Sequence, residues 1–219
     1  MVDATRGRIA TSRGRVANLV YSANCGGHTQ GSGELKGWGG VSHFSGGPDA
    51  PGAVPLPSSP WGLRLWLRSR PPSYCSLAAG VLPSHFRWTR AIPAQDLEKR
   101  LNRLAPIGAL QAVVPLRRSA SGHLNSVLVR GSRESMIIDT EMGIRSLLGI
   151  GSQRSSLFVL DTEYGPDGRP ALFLFHGGGW GHGVGLCQAG AMGRAERGRS
   201  YVDILAAYYR GIEIGDLRY

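Results

Sequence analysis

No part of this 219-residue sequence approaches 18 consecutive apolar residues, so none of it reads as a membrane-spanning helix. Lysine is scarce: Lys36 and Lys99 are the two among 25 basic residues, and the arginines are spread along the chain instead of forming a stripe. A nucleic-acid face needs clustered basic residues with stacking aromatics, so nucleic acid is not an expected partner. The net charge of +10 fits either an arginine-rich solvated surface or attraction to an acidic polymer such as a cell wall. Three cysteines, Cys25, Cys75 and Cys187, are too few and too scattered for a disulfide framework, which leaves one bridge or a partial metal site. The first 20 residues lack the apolar core of a secretory signal and lead straight into a strand-like pattern. The chain is therefore either intracellular or missing its upstream part, and the second is expected.

The length suits a single domain, 1–219, with a Pro/Gly/Ser-rich stretch at about 45–60 (SGGPDAPGAVPLPSSP) that reads as a surface insertion. Arg15–Ala23 has the composition of a strand and runs into the loop NCGGHTQGSG. Trp61–Arg70 has no clear periodicity. In IPAQDLEKRLNRL, residues Ala94, Leu97, Leu101 and Leu104 fall at helical spacing, with Pro93 suited to the first turn. Strands are predicted at 110–117, 124–131 and 135–140, the first two joined by the turn SASG as a hairpin. A short helix at 142–149 precedes a second hairpin, 156–162 with 170–177, turned by Pro-Asp-Gly. Helices follow at 188–197 and after Ser200, where Asp203 completes a capping box and Tyr201, Ile204, Leu205 and Tyr208 share a buried face. Antiparallel hairpins mixed with short helices make the fold class α+β.

Residues 177–190 hold seven glycines, delivered by a strand end and followed by a helix. HGGG at 176–179 resembles a lipase oxyanion loop, but the sequence has no G-x-S-x-G elbow. Neither lysine completes a phosphate-binding G-x-x-x-x-G-K-[ST], and no βαβ unit surrounds the glycines. What remains is a turn in which alternate glycines let the backbone pass close to another chain segment or a ligand. Trp180 and His182 project between those glycines as a surface that a sugar ring can stack on and hydrogen-bond.

Phe175, Gly177, Gly179, Trp180, Gly181, His182, Gly183, Val184, Gly185, Gln188, Gly190 and Ala191 resemble the C-terminal hallmark of the stage II sporulation protein D (SpoIID) family, which includes LytB-type amidase enhancers. Gly198, Tyr201, Ile204, Leu205, Tyr208, Tyr209 and Gly211 continue the match, and YSANCGGHT at 21–29 is similar to an upstream family segment. Trp88 and IRSLLGIGS at 144–152 fall in the expected order. Leu186-Cys187 stands where the family usually has Met-Ser, and Ala189 where an aromatic is common.

The resemblance implies a SpoIID-like domain acting in cell-wall remodelling or sporulation, as a lytic transglycosylase on peptidoglycan strands stripped of their peptides. A single carboxylic acid protonates the leaving glycosidic oxygen. As carboxylate it then assists attack of the sugar's own C6 hydroxyl on C1, leaving a 1,6-anhydro end. The family's proposed catalytic glutamate belongs to an N-terminal segment with no counterpart here, so the catalytic residue is unknown, and neither Glu34 nor Glu141 is put in its place.

Trp180, His182, Gly183 and Gln188 are the expected sugar contacts, with Gly26, Gly27 and Thr29 on the opposite wall. No cofactor is required by the reaction. Zinc enters as an open question, because Cys25-x-x-His28 has ligand-like spacing that Cys75, His43 or Cys187 would have to complete. Partners implied are peptidoglycan glycan strands and an N-acetylmuramoyl-L-alanine amidase, at an extracytoplasmic cell-envelope location, with membrane contact only through an upstream anchor. The absent glutamate keeps a second reading alongside: a peptidoglycan-binding or amidase-enhancing module that cuts nothing.

Overall fold

The structure, a computed structural model, describes residues 5–52, 56–149, 151 and 154–217. Strand β1 (Arg8–Ser12) turns at Arg13 and Gly14 into β2 (Arg15–Val16). Then β3 (Tyr21–Ser22) and β4 (His28–Thr29) flank the first cysteine, and β5 (Gly47–Pro48) pairs back on β4. Helix α1 (Pro60–Arg68) begins where Ser59 Oγ caps Gly62 N–H, with Pro60 in the first turn. A Ser73–Ser76 capping box starts α2 (Tyr74–Leu77), and Pro83 opens α3 (Pro83–Phe86). Strand β6 (Arg87–Pro93) runs directly into α4 (Ala94–Asn102). Next come β7 (Leu110–Arg118), β8 (Leu124–Gly131), β9 (Ser135–Ile138) and α5 (Glu141–Leu147). The last elements are β10 (Phe158–Tyr164), β11 (Pro170–Gly178), β12 (Leu186–Cys187), α6 (Gln188–Ala195), α7 (Tyr201–Tyr208) and β13 (Glu213–Asp216).

The result is an α+β fold of small sheets and short helices. Two three-stranded antiparallel sheets, β7-β8-β9 and β10-β11-β6, enclose the main core with α4 and α5. Phe173 and Phe175 alternate inward along β11 and meet Phe158, Leu97, Leu101 and Ile144, all fully buried. Each such side chain contributes about 1.5–3 kcal/mol by leaving water. A second core gathers Cys25, Phe44, Cys75, Phe86, Val184, Cys187, Ile204 and Tyr208. Strands β13-β1-β2 close the two ends of the chain on each other. Among the described residues no helix is long and apolar enough to cross a membrane.

Both predicted hairpins form, in the antiparallel sense expected. Four details differ. The strand expected over Arg15–Ala23 is split into β2 and β3. Leu104 is exposed, because α4 ends at Asn102, whose amide turns away to bond both the N–H and the carbonyl of Gly108. Tyr201 is exposed because it is the first residue of α7, before the turn that faces the core. The stretch at 45–60 is not all surface: β5 lies in it, and Asp49 is only 1% exposed.

Candidate functional site

The glycine-rich turn and the 21–30 segment do not face each other across a groove; they are laced side by side. Asn24 and Trp180 exchange both backbone hydrogen bonds, at 3.1 and 2.7 Å, and Gln30 N–H donates to the Gly183 carbonyl at 2.8 Å. Strand β12 pairs in parallel with β3. Such lacing requires backbone to touch backbone. A Cβ at Gly26 would come within 2.8 Å of Gly178 and Gly179, and one at Gly183 would meet the His123 ring at 2.8 Å. Of the two things that bare backbone can admit, the one seen here is another part of the same chain.

Asn24, fully buried, holds this crossing from its own side chain. Its Oδ1 accepts from Gly26 N–H at 2.8 Å, and its Nδ2 donates to the Cys75 carbonyl at 3.1 Å. Gly27 lies against the Trp66 ring, beside a cavity of about 190 Å³ that Trp66, Pro71, Pro72 and Ser73 help to line. Thr29 Oγ1 donates to the Gly47 carbonyl.

Trp180 remains half-buried, stacked on His85 with ring centroids 4.3 Å apart and with the Arg154 guanidinium 5.3 Å from its ring. His182, also half-buried, packs on Trp38 at 4.9 Å and accepts Val184 N–H on Nδ1, which makes Nε2 the protonated nitrogen of the neutral ring. Burial lowers its pKa, against a backbone hydrogen bond with Tyr21. Gln188 opens α6 and is exposed. Trp180 and His182 are thus displayed by one turn, each backed by another ring.

Directly beneath this crossing lies a cluster that joins the three cysteines already weighed as metal ligands and adds Asp49, which the sequence did not announce. Cys25, Asp49, Cys75 and Cys187 each turn one ligand atom inward, all four within 4.8 Å of one another and at most 1% exposed. Burial drives the Cys25 and Cys187 thiols well up; at Cys75 burial acts the same way, but hydrogen bonds with Cys187, Cys25 and Ser73 outweigh it and hold that thiol well below its ordinary value. Asp49 is pushed up to about 6 by burial and by the charge of Cys75, with Tyr208 and Arg194 pulling the other way. Such a group could coordinate a metal ion. His28 and His43 are not in it: His28 Nδ1 meets the Thr29 carbonyl at 2.8 Å, and His43 Nε2 meets the Asn18 carbonyl at 2.9 Å.

The carboxylates set aside earlier both have structural work. Glu34 Oε1 accepts Ala120 N–H at 2.8 Å, and Glu141 forms a buried ion pair with Arg145. Sequence reasoning missed Asp49, Asn24 and His123. The signal for Asp49 was faint, a lone acid in a Gly/Pro stretch.

Over 220 residues the chain is 28% identical to an uncharacterized protein of Brachyspira hyodysenteriae, an alignment covering 98% of this chain and 48% of that protein. Over 132 residues it is 50% identical to Stage II sporulation protein D of Bacillus amyloliquefaciens, covering 58% of this chain and 33% of that protein. The chain therefore spans about half the length, or less, of these curated relatives. Residues 80–185 match a family described as a domain of unknown function, DUF8618. That match contains Trp180, His182 and Gly183 and leaves out all four residues of the buried cluster.

Proposed function

We propose that the chain is a SpoIID-like domain, one unit over 1–219, that holds peptidoglycan glycan strands at the cell envelope during wall remodelling or sporulation. The 50% identity to Stage II sporulation protein D carries this reading. The glycine-rich turn supports it by carrying two half-buried rings, Trp180, whose indole face suits a sugar ring, and His182 two residues on, whose ring nitrogens are held by Val184 N–H and the Tyr21 backbone. Gln188 adds an exposed amide at the start of α6. On this reading the domain supplies the grip on the strand in a lytic transglycosylase-type reaction, and an amidase that strips the peptides is the natural partner. Because Glu34 and Glu141 are committed to the fold, the acid of such a reaction is not assigned to either.

The test is to incubate the purified chain with peptide-free glycan strands, measure co-sedimentation and examine the strand ends by mass spectrometry. Retention on the strands with unaltered ends is the expected result. Anhydro-muramoyl ends would show that a carboxylate of this chain performs the cleavage. Absence of retention refutes the reading.

A further inference from the structure

Four stretches far apart in sequence converge on the buried cluster: the turn after β3, the residue after β5, the first turn of α2, and the residue that caps α6. Ordinary packing does not explain the choice of side chains. Arg194 and Tyr208 satisfy one oxygen of the buried Asp49 carboxylate, but its other oxygen faces three thiols that offer no cation, where apolar residues of the same size would pack without burying a half-satisfied carboxylate.

Two of the six edges fit a metal ion directly, and all four ligand atoms lie within 4.8 Å of one another. A tetrahedral zinc ion with Zn–S of about 2.3 Å and Zn–O of about 2.0 Å sets sulfur–sulfur edges of about 3.8 Å and sulfur–oxygen edges of about 3.5 Å. Cys25 Sγ lies 3.7 Å from Cys75 Sγ and 3.5 Å from Asp49 Oδ2.

We propose that Cys25, Asp49, Cys75 and Cys187 bind one zinc ion in a closed tetrahedral site, and that His28 takes no part. The surroundings are arranged as a metal site requires. Asp49 uses its other oxygen, Oδ1, to accept from Tyr208 OH at 2.8 Å and from Arg194 at 3.1 Å, which leaves Oδ2 directed at the sulfurs. Cys187 Sγ accepts N–H groups from Cys25 at 3.2 Å and Gly190 at 3.3 Å, bonds that stabilise a thiolate. Gly190 has to be glycine here, for a Cβ would stand 2.1 Å from Asp49 Oδ2. Three thiolates and a carboxylate carry four negative charges; the ion offsets two and Arg194 a third.

Four protein ligands and almost no exposure leave no open position, so the ion is structural. It pins Cys25 and Cys187, the inner ends of the two laced segments, and thereby fixes the turn that displays Trp180 and His182. The metal assignment stands on the cluster alone and does not depend on what that turn binds.

The experiment is metal analysis of the intact chain, purified without chelator, by inductively coupled plasma mass spectrometry. One zinc per chain is expected, and His28→Ala should keep it. Refolding with Co2+ should give thiolate-to-metal charge-transfer bands and the intense visible absorption of a tetrahedral ion. Tyr208→Phe, which removes a hydrogen bond to Asp49 but no ligand, should weaken zinc roughly 10–100-fold in competition with a chelating dye. This milder variant keeps the test decisive if Cys75→Ser fails to fold. The proposal is overturned if the wild-type chain neither contains zinc nor takes it up on refolding, if Cys25 and Cys75 are found as a disulfide, or if His28→Ala loses the ion. A chain that holds zinc and ignores glycan strands would sink only the functional reading.

Discussion

Gly183→Ala separates two costs that the structure places on one atom. Gly183 has φ of +74°, where a Cβ costs roughly 1–2 kcal/mol in backbone strain. The same Cβ would lie 2.8 Å from His123 Nε2, an overpacking worth about 1–3 kcal/mol. His123 cannot swing away, because it is fully buried and its Nδ1 is held by Ser121 Oγ at 2.8 Å, itself bonded to Ser119 Oγ. The single substitution should therefore cost roughly 2–5 kcal/mol.

A double-mutant cycle divides the sum. His123→Ala opens a cavity and destabilises the chain by itself, but in that background Gly183→Ala meets no ring and should cost only the strain, about 1–2 kcal/mol. Urea denaturation of the four proteins, with m-values compared to exclude changes in the unfolded state, should give a coupling of about 1–3 kcal/mol. Additivity within about 0.5 kcal/mol would refute the contact between the turn and His123. Glycan retention measured on the folded fraction then separates this packing from any contact of residue 183 with a strand.

His123 also predicts a pH dependence. Burial lowers its pKa to about 3, so as pH falls below about 6.5 the unfolded chain takes up the proton first; the contribution is complete above that pH and is lost toward 3, by about 1.4 kcal/mol per pH unit. Between pH 7 and 4.5 the slope of stability against pH should be smaller in His123→Gln than in the wild type by about 1.4 kcal/mol per pH unit, the histidines and Asp49 that also titrate there being common to both proteins. Arg145→Met, which strands the buried Glu141 carboxylate, should cost about 3–5 kcal/mol, while the double change Glu141→Leu/Arg145→Met should recover most of it in thermal melts. Trp180→Ala should reduce co-sedimentation with peptide-free glycan at least tenfold, with far-UV circular dichroism unchanged, because the ring rests half-exposed on His85 and not in either core.

Elements stabilised by near neighbours were legible. The β7–β8 hairpin combines alternating apolar residues with a Ser-Gly turn, and α7 begins at a capping box that the structure reproduces, with Asp203 N–H on Ser200 Oγ. Strands that depend on distant partners were not. β6, RWTRAIP, carries two arginines and a proline and becomes a strand only by pairing along β11. β1 needs β13, some 200 residues away, for its hydrogen bonds. Local pattern carries no information about such partners.

The same distinction governs the site. The glycine-rich turn was legible because its bare backbone is a local feature, although what fills the bare space, His123 and the Asn24–Gly26 turn, was not. The buried cluster was obscured by a local pattern of its own, since Cys25-x-x-His28 has the spacing of a ligand pair. Gly26 and Gly27 both adopt positive φ, at +68° and +102°, and this double turn sends His28 into β4 while Cys25 points into the core. The partners that Cys25 meets lie 24, 50 and 162 residues further on. Ligand spacing foretells a site only where the intervening backbone can fold both side chains to one side, and two left-handed glycines in succession are the reason it does not do so here.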